Sequence, residues 1–153
     1  MSAVPQIQQS VERLRARIGS RLRDLGLTTV DPVSVRRFRE ALGLDPDPTL
    51  GVPPMLVAHV LRADADVSVD RRPSESIDAV LADPVNGGTE VRFERPLRLG
   101  ETIRGETLLA DAYLREGRSG ALAVVVSETR YSDGDGRAVA TLRATMVYRG
   151  VRA

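Results

Sequence analysis

Apolar residues recur along the first part of the chain at the spacing of an α-helix. The positions concerned lie three or four residues apart and are Ile7, Val11, Leu14, Ile18 and Leu22. This spacing places them on one face of a helix, while Arg and Glu occupy the other face. We therefore predict a first helix over residues 5–25 that ends near Gly26.

A second helix is predicted in VDPVSVRRFREALG. Asp31 suits the N-cap, and Pro32 suits the first helical position because the N–H group that proline lacks is not needed there. Gly43 is the expected end of this helix. The side predicted to be buried carries Val35, Phe38 and Leu42.

The stretch GVPPMLVAHVLR contains His59, the only histidine of the chain. It follows LDPDPTLGV, whose Asp-Pro pairs disfavour regular structure. We predict a short helix that begins at Pro53 or Pro54. Apart from His59 this helix is apolar as far as Arg62, and a helix that is apolar nearly all round must be buried.

The pattern changes to that of β-strands from Gly87 onwards. The strand candidates are TEVRFERP, ETIRGETLLADAYLRE, GALAVVVSETRYS and RAVATLRATMVYR, with EGRSG and SDGDG as the last turns between them. Residues 63–72 are predicted to be loop, and PSESIDAVLAD gives a weak helical signal. Helices followed by an antiparallel meander of about four strands are typical of an α+β protein. A curved antiparallel sheet wrapped around a buried central helix is the hot-dog fold. We predict one such domain over residues 1–153, with residues 1–30 as a helical N-terminal extension.

Composition excludes several classes of function. The chain has 153 residues, no cysteine, no lysine and one histidine, so thiolate sites, Schiff-base lysines and a P-loop are excluded. Its net charge of +1 and 3% aromatic content argue against a nucleic-acid partner. We expect no metal and no other cofactor. With no apolar run long enough for a signal peptide or a membrane span, a soluble cytoplasmic protein is predicted.

The stretch from VNGGTEVRFERPLRLGETI to the hairpin DGDGRAVATLRATMVYR resembles the second half of MaoC-like dehydratase domains. Upstream, IGSRLRDLGLTTVDPVSVRRFREALG and VPPMLV resemble the N-terminal part of the same domain. The resemblance implies acyl thioesters of coenzyme A or of an acyl carrier protein as ligands. It also implies dimers or paired domains whose sheets join edge to edge. It extends to small MaoC-like proteins of actinomycete specialised metabolism, among them thioesterases and proteins that add the amine of glycine to an enoyl thioester.

The catalytic motif departs from that family. Active hydratases carry a pattern like G-D-x-N-P-x-H after the second helix, whereas this chain has GLDPDPTL. Leu44 stands in the place of the Asp, Leu50 lies near the place of the His, and Asp45 and Asp47 are out of register. Two interpretations follow. One is an enzyme that uses His59 as its base, and the other is the non-catalytic half of a heteromeric dehydratase.

His59 is the candidate catalytic residue. Because Pro53 and Pro54 lack N–H groups, the first free donors of the helix are expected from Met55 and Leu56, with Val57 next. His59 follows Met55 by four residues and shares its face. It could therefore act as a general base beneath an oxyanion bound by those donors. The competing interpretation is a buried histidine bonded to a backbone carbonyl.

The turn at Asn86 and Gly87 is the second candidate site. Asn86 could bind a substrate carbonyl or carboxylate, and Gly87 would let the backbone approach the ligand. A purely conformational turn is the favoured interpretation. We further expect a homodimer, because a long apolar edge strand invites pairing.

Overall fold

The computed structural model describes residues 3–58, 81–118 and 120–151. Its helices within these ranges are α1 (Ala3–Arg15) and α2 (Pro32–Ala41), with a short 3-10 turn over Pro48–Leu50. Its strands are β1 (Arg21–Thr29), β2 (Leu81–Phe93), β3 (Thr102–Gly117), β4 (Gly120–Asp133) and β5 (Ala138–Val151). The described start of the predicted central helix covers residues 56–58.

All of these strands join in one antiparallel sheet of order β1-β3-β4-β5-β2. Strands β3, β4 and β5 form the predicted meander. Strand β2 precedes β3 in the chain but pairs with β5, so β1 and β2 are the two edges of the sheet. This arrangement confirms the predicted α+β hot-dog fold, although the meander has three strands and not four.

The alternation of side chains along β4 defines two faces of the sheet. Val125 and Tyr131 lie on the face that packs against the helices, which we call the inner face. Val124 and Val126 point to the opposite, outer face and are also nearly buried. A strand that is apolar on both faces suits the centre of a sheet, where β4 lies between β3 and β5.

Two apolar clusters cover opposite ends of the inner face. The α1 cluster is formed by Ile7, Val11, Leu14, Leu81, Leu109, Ala112, Ala123, Val125 and Tyr148. The α2 cluster is formed by Val30, Val35, Leu56, Val57, Leu97, Ile103, Tyr131, Val139 and Ala140. The start of the central helix therefore packs at the α2 end of the sheet.

The prediction of one helix through Leu25 is wrong, and with it that of an all-helical extension over residues 1–30. Helix α1 ends at Arg15, and Arg21–Thr29 form the edge strand β1. The cause is Gly19, which has φ +87°, a left-handed conformation that stops a helix and that glycine adopts without strain. Its N–H donates to the Leu109 carbonyl at 2.8 Å, which starts the pairing of the chain with β3.

Helix α2 confirms the predicted cap and length. The Asp31 carboxylate accepts hydrogen bonds from the backbone N–H groups of Val33 and Ser34, each at 2.9 Å, and Val35 is fully buried. Leu42, however, is 55% exposed, so its predicted burial is wrong. It is the C-cap residue of α2, where the chain leaves the helix and no longer follows its buried face.

The predicted hairpin at SDGDG is confirmed between β4 and β5. Asp133 Oδ1 accepts from the N–H groups of Asp135 and Arg137 at 3.0 and 2.9 Å, and Gly136 takes φ +81°. The predicted loop over residues 63–72 lies outside the described residues, as does most of the weak helix in PSESIDAVLAD. Its last residues, from Leu81, belong to β2, so the helical prediction is wrong there.

Candidate functional site

The segment of residues 43–51 follows α2 and contains the stretch GLDPDPTL, at which the sequence predicts a departure from the acid–base motif. Arg39 of α2 holds this segment at both ends. Its Nε donates to the backbone carbonyl of Asp45, and its Nη1 donates to that of Gly51 at 2.9 Å. One side chain therefore fixes the whole segment against the helix. Sequence reasoning missed this role, since only the fold brings Arg39 to both carbonyls.

The two aspartates of this segment stabilise its turns. Asp45 Oδ1 accepts from the N–H of Asp47 at 2.9 Å. Asp47 Oδ1 accepts from both the hydroxyl and the N–H of Thr49, at 2.7 and 2.9 Å. The hydrogen bond from the Thr49 hydroxyl, the Thr49 N–H and the charge of Arg39 lower the pKa of Asp47. A carboxylate of lowered pKa whose oxygen is already bonded twice is a poor general base.

The start of the central helix buries its apolar residues and leaves one backbone donor open. Leu56 and Val57 are 0% and 3% exposed, whereas Met55 is 45% exposed. The N–H of Leu56 donates to the Pro53 carbonyl at 3.0 Å, and that of Val57 donates to the Pro54 carbonyl at 3.3 Å. The prediction that these two donors are free is therefore wrong, because the first turn of the helix already bonds them. The N–H of Met55 has no partner among the described residues. His59 lies outside the described residues, so its role stays a prediction.

Asn86 and Gly87 lie at a bulge in β2, where the register with β5 shifts between Asn86 and Gly88. The Asn86 side chain accepts from the Gly88 N–H at 2.8 Å and donates to the Thr89 hydroxyl at 3.4 Å. A Cβ atom at Gly87 would meet Val147 Cγ2 at 3.0 Å, a tight contact that would require the valine side chain to shift by a few tenths of an ångström. Bulge geometry and close packing against β5 account for both residues, and their ligand role stays a prediction.

Polar side chains cross the inner face between the two apolar clusters. We call Thr89, Thr107, Ser127 and Thr129 the hydroxyl band. Thr107 pairs with Thr129, and Ser127 pairs through Ala144 with Thr89. The hydroxyls of Thr107 and Thr129 are 2.9 Å apart and share a hydrogen bond. The sequence VVVSETRY contains a signal for this band, because every second residue of a strand lies on the same face and Ser127 and Thr129 are two residues apart.

An ion cluster closes the sheet at the end near the α2 cluster. Arg95 Nη2 lies 2.7 Å from Glu101 Oε2 and 3.1 Å from Asp133 Oδ2. The N–H of Arg137 and the charge of Arg95 lower the pKa of Asp133. These contacts tie the loop between β2 and β3 to the hairpin between β4 and β5. Arg95 binds both carboxylates at once, and the cluster is therefore structural.

The described residues contain no group of three or more Asp or Glu side chains placed to hold a metal ion. Nor does any helix among them have the length and apolar character needed to cross a membrane. The chemistry available to the described part of the site consists of backbone donors, hydroxyl groups and an apolar inner face.

A five-stranded sheet with this strand order and a helix start packed on its inner face defines a hot-dog protein. Residues 16–142 match the family model for the FAS1-like dehydratase domain region. Since the match covers most of the chain, this protein belongs to that family, whose members are MaoC-like dehydratase hot-dog domains. No curated protein matches the sequence significantly.

Solved structures share the fold over nearly the whole chain. A chain of the ChsH1–ChsH2 complex from Mycobacterium tuberculosis has a TM-score of 0.72 at 19% identity, covering 97% of this chain and 98% of that one. A chain of the HadBC (3R-hydroxyacyl-ACP dehydratase) complex from the same organism has a TM-score of 0.64 at 16% identity, covering 85% of this chain and 96% of that one. The R-hydratase PhaJ1 of Pseudomonas aeruginosa has a TM-score of 0.55 at 16% identity, covering 87% of this chain and 82% of that one. At these identities the similarity is one of fold.

Proposed function

We propose that this protein binds acyl thioesters of coenzyme A or of an acyl carrier protein as one half of a dehydratase-type assembly. In that assembly a second hot-dog subunit supplies the Asp–His pair. The observation that carries this proposal is the segment of residues 43–51. Leu44 and Leu50 occupy or adjoin the motif positions, and Asp47 is committed to a turn.

The chemistry of dehydration explains why a partner is required. Removing water from a 3-hydroxyacyl thioester needs a base for the proton at C2 and an acid for the departing hydroxyl at C3. The described residues place neither group at the start of the central helix. His59 alone could serve only one of these roles at a time, unless it moved the same proton between both positions.

Exposed apolar side chains near the motif positions support a covering partner. Leu42, Leu44, Leu50 and Met55 are between 45% and 60% exposed, and all lie between the end of α2 and the central helix. A concentration of exposed apolar surface in one short segment is typical of an interaction site. Two of the similar structures, ChsH1–ChsH2 and HadBC, are by name complexes of two different chains.

A second candidate function is thioester hydrolysis, or addition of an amine such as glycine to an enoyl thioester, by a homodimer. The open N–H of Met55 beside its exposed side chain favours it. His59 would take a proton from water or from the amine, and the Met55 N–H would stabilise the oxyanion or enolate. Hydrolysis after amine addition would release a β-amino acid.

One experiment separates the two candidates. The pure protein and the protein co-expressed with a MaoC-like partner that carries the Asp–His motif are sized by light scattering. Each is assayed on crotonyl-CoA, with and without glycine, as wild type and as His59→Gln. The first candidate predicts activity only with the partner, as hydration, and little change in H59Q. The second predicts free acid or amine adduct from the homodimer, lowered at least about a hundredfold in folded H59Q.

Efficient hydration of crotonyl-CoA by the pure protein would contradict both candidates, because it would show that this chain carries out the acid–base chemistry of hydration without a partner. Both candidates need an assembly of two subunits. A protein that stays monomeric at micromolar concentration, and that shows no activity with the partner, would contradict both.

A further inference from the structure

The hydroxyl band lies between the two buried clusters of the inner face. Its neighbours on either side along β4, Val125 and Tyr131, are 1% and 4% exposed. Ser127 and Thr107 are half-buried, and Ala144 beside Ser127 has only a methyl group to fill the space. Polar side chains that keep part of their surface accessible therefore lie at the middle of this face.

The hydroxyls of the band keep unused hydrogen-bonding capacity. Thr129 is 7% exposed, and burial of an unbonded hydroxyl is unfavourable. Its bond with Thr107 uses one of the two hydroxyl protons and leaves the other proton, together with several lone pairs, free. The Ser127 hydroxyl finds no partner among the described residues. An apolar ligand crossing this row would leave these groups unbonded, which weakens binding.

The band lies away from the end where the motif segment sits. Two residues of an antiparallel strand advance the chain by about 7 Å, so Thr129 stands about that far from Tyr131 of the α2 cluster, and Ser127 stands further. A thioester that reacts beside the α2 cluster would present its more distant carbons to the band.

We infer that the acyl group bound by this protein carries a hydrogen-bonding substituent, a hydroxyl or a carbonyl, on a carbon beyond those that react. This inference rests on the proposed binding of acyl thioesters and adds the class of acyl chain. The substituent would meet Thr107, Ser127 and Thr129 in place of water, while plain segments of the chain would contact the two clusters.

The test measures binding of octanoyl-CoA and of octanoyl-CoA derivatives with one hydroxyl at successive carbons beyond C4, using the protein in whichever assembly it forms. We expect one hydroxylated derivative to bind about tenfold tighter than octanoyl-CoA. The double variant Thr107→Val plus Thr129→Val should reduce this preference to about twofold. Replacing both partners of a hydrogen bond leaves no orphaned group, so the fold should persist.

Thr141→Val is the matched control, since Thr141 lies on the outer face of β5 opposite Arg130. It should keep the preference of wild type. Ser127→Ala is the second test variant in case the double variant does not fold. It should weaken the binding of the hydroxylated derivative and leave the affinity for octanoyl-CoA unchanged.

The outcomes separate this inference from the proposed function. If octanoyl-CoA binds as tightly as every hydroxylated derivative, or if the variants leave the preference intact, the inference is wrong and acyl binding stands. If no acyl thioester binds to the protein or its assembly, the proposed function and the inference fail together.

Discussion

The two ends of the inner face are built differently. At the α1 cluster, one amphipathic helix lies across β3, β4 and β5, and Leu14 and Val11 are almost completely buried. At the α2 cluster, three elements cover the sheet together. They are the capped helix α2, the segment held by Arg39 and the start of the central helix. Near that second cluster, the large apolar side chains of Leu42 and Leu50 are exposed to solvent.

This difference indicates that the two ends of the sheet are stabilised in different ways. The α1 end is closed mainly by apolar packing, to which Arg15 adds a hydrogen bond from its Nε to the Ala112 carbonyl at 2.9 Å. The α2 end depends on carboxylate caps and backbone carbonyls, and it keeps apolar surface in contact with solvent. Exposed apolar side chains are not confined to that end, since Val4 and Ile18 on and beside α1 are 47% and 48% exposed. The carboxylate caps are therefore what distinguishes the α2 end.

The largest effect should come from emptying the α1 cluster. Leu14→Ala removes a fully buried side chain and should lower the free energy of unfolding by about 2–5 kcal/mol. Leu42→Ala is the matched control at the other end, where the side chain is 55% exposed and the change should stay within about 0.5 kcal/mol. Urea unfolding of both variants measures the difference. Equal losses would show that the two ends do not differ in this way.

Leu42→Ala should instead act on assembly. If the exposed leucines contact a second subunit, this variant should raise the dissociation constant of the complex while leaving the folded chain intact. Analytical ultracentrifugation at several concentrations measures it.

Acid should loosen the α2 end first. The Ser34 hydroxyl and the N–H groups of Ser34 and Val33 hold the pKa of Asp31 below its usual value, and the pKa values of Asp47 and Asp133 are lowered too. A carboxyl group whose pKa is lower in the folded state stabilises the fold above its unfolded pKa of about 3.9. That stabilisation is lost as the pH falls through the folded-state pKa. Amide exchange in α2 should therefore accelerate below about pH 3.9 before exchange in α1 does.

Variants at Asp31 sharpen the acid test. Asp31→Ala should cost about 1 kcal/mol at neutral pH because the cap of α2 is lost. Asp31→Asn should keep most of the cap and lose its share of the pH dependence. If amide exchange in α2 depends on pH in the same way in D31N and in wild type, a group other than Asp31 is responsible for the acid sensitivity of the α2 end.

The smallest effect is expected at Tyr148 in the α1 cluster. Its side chain is 1% exposed, its hydroxyl is buried without a partner among the described residues, and burial raises its pKa. Tyr148→Phe removes an unbonded polar group and should leave stability unchanged or raise it by up to about 1 kcal/mol. A clear loss in thermal or urea unfolding would reveal a hydrogen bond to that hydroxyl.

The sequence predicted best those features that depend on neighbouring residues. The cap at Asp31 and the hairpin at Asp133 both follow from contacts within four residues, and both are confirmed. The boundary between α1 and β1 was missed because Leu22 continues the helical spacing of α1, while Gly19 was the available signal. The pairing of β2 with β5 joins residues far apart in the chain, and no local pattern encodes it.

The candidate site shows the same division. Local sequence indicated that the Asp-Pro pairs would interrupt regular structure, and the turns that Asp45 and Asp47 stabilise agree with this. The carbonyl contacts of Arg39 and the alignment of Thr107 with Thr129 arise only when distant segments meet. The predicted roles of His59, Asn86 and Gly87 remain predictions for the experiments above.

The order of the strands also bears on how the chain folds as it is made. Helix α1 and strand β1 emerge before their partners, which lie in β3, β4 and β5. At ordinary rates of synthesis the apolar face of α1 waits on the order of ten seconds for its sheet. During that interval Ile7, Val11 and Leu14 are open to chaperones and to other nascent chains. Variants that weaken α1 should therefore lower the yield of folded protein in cells more than their equilibrium stability suggests.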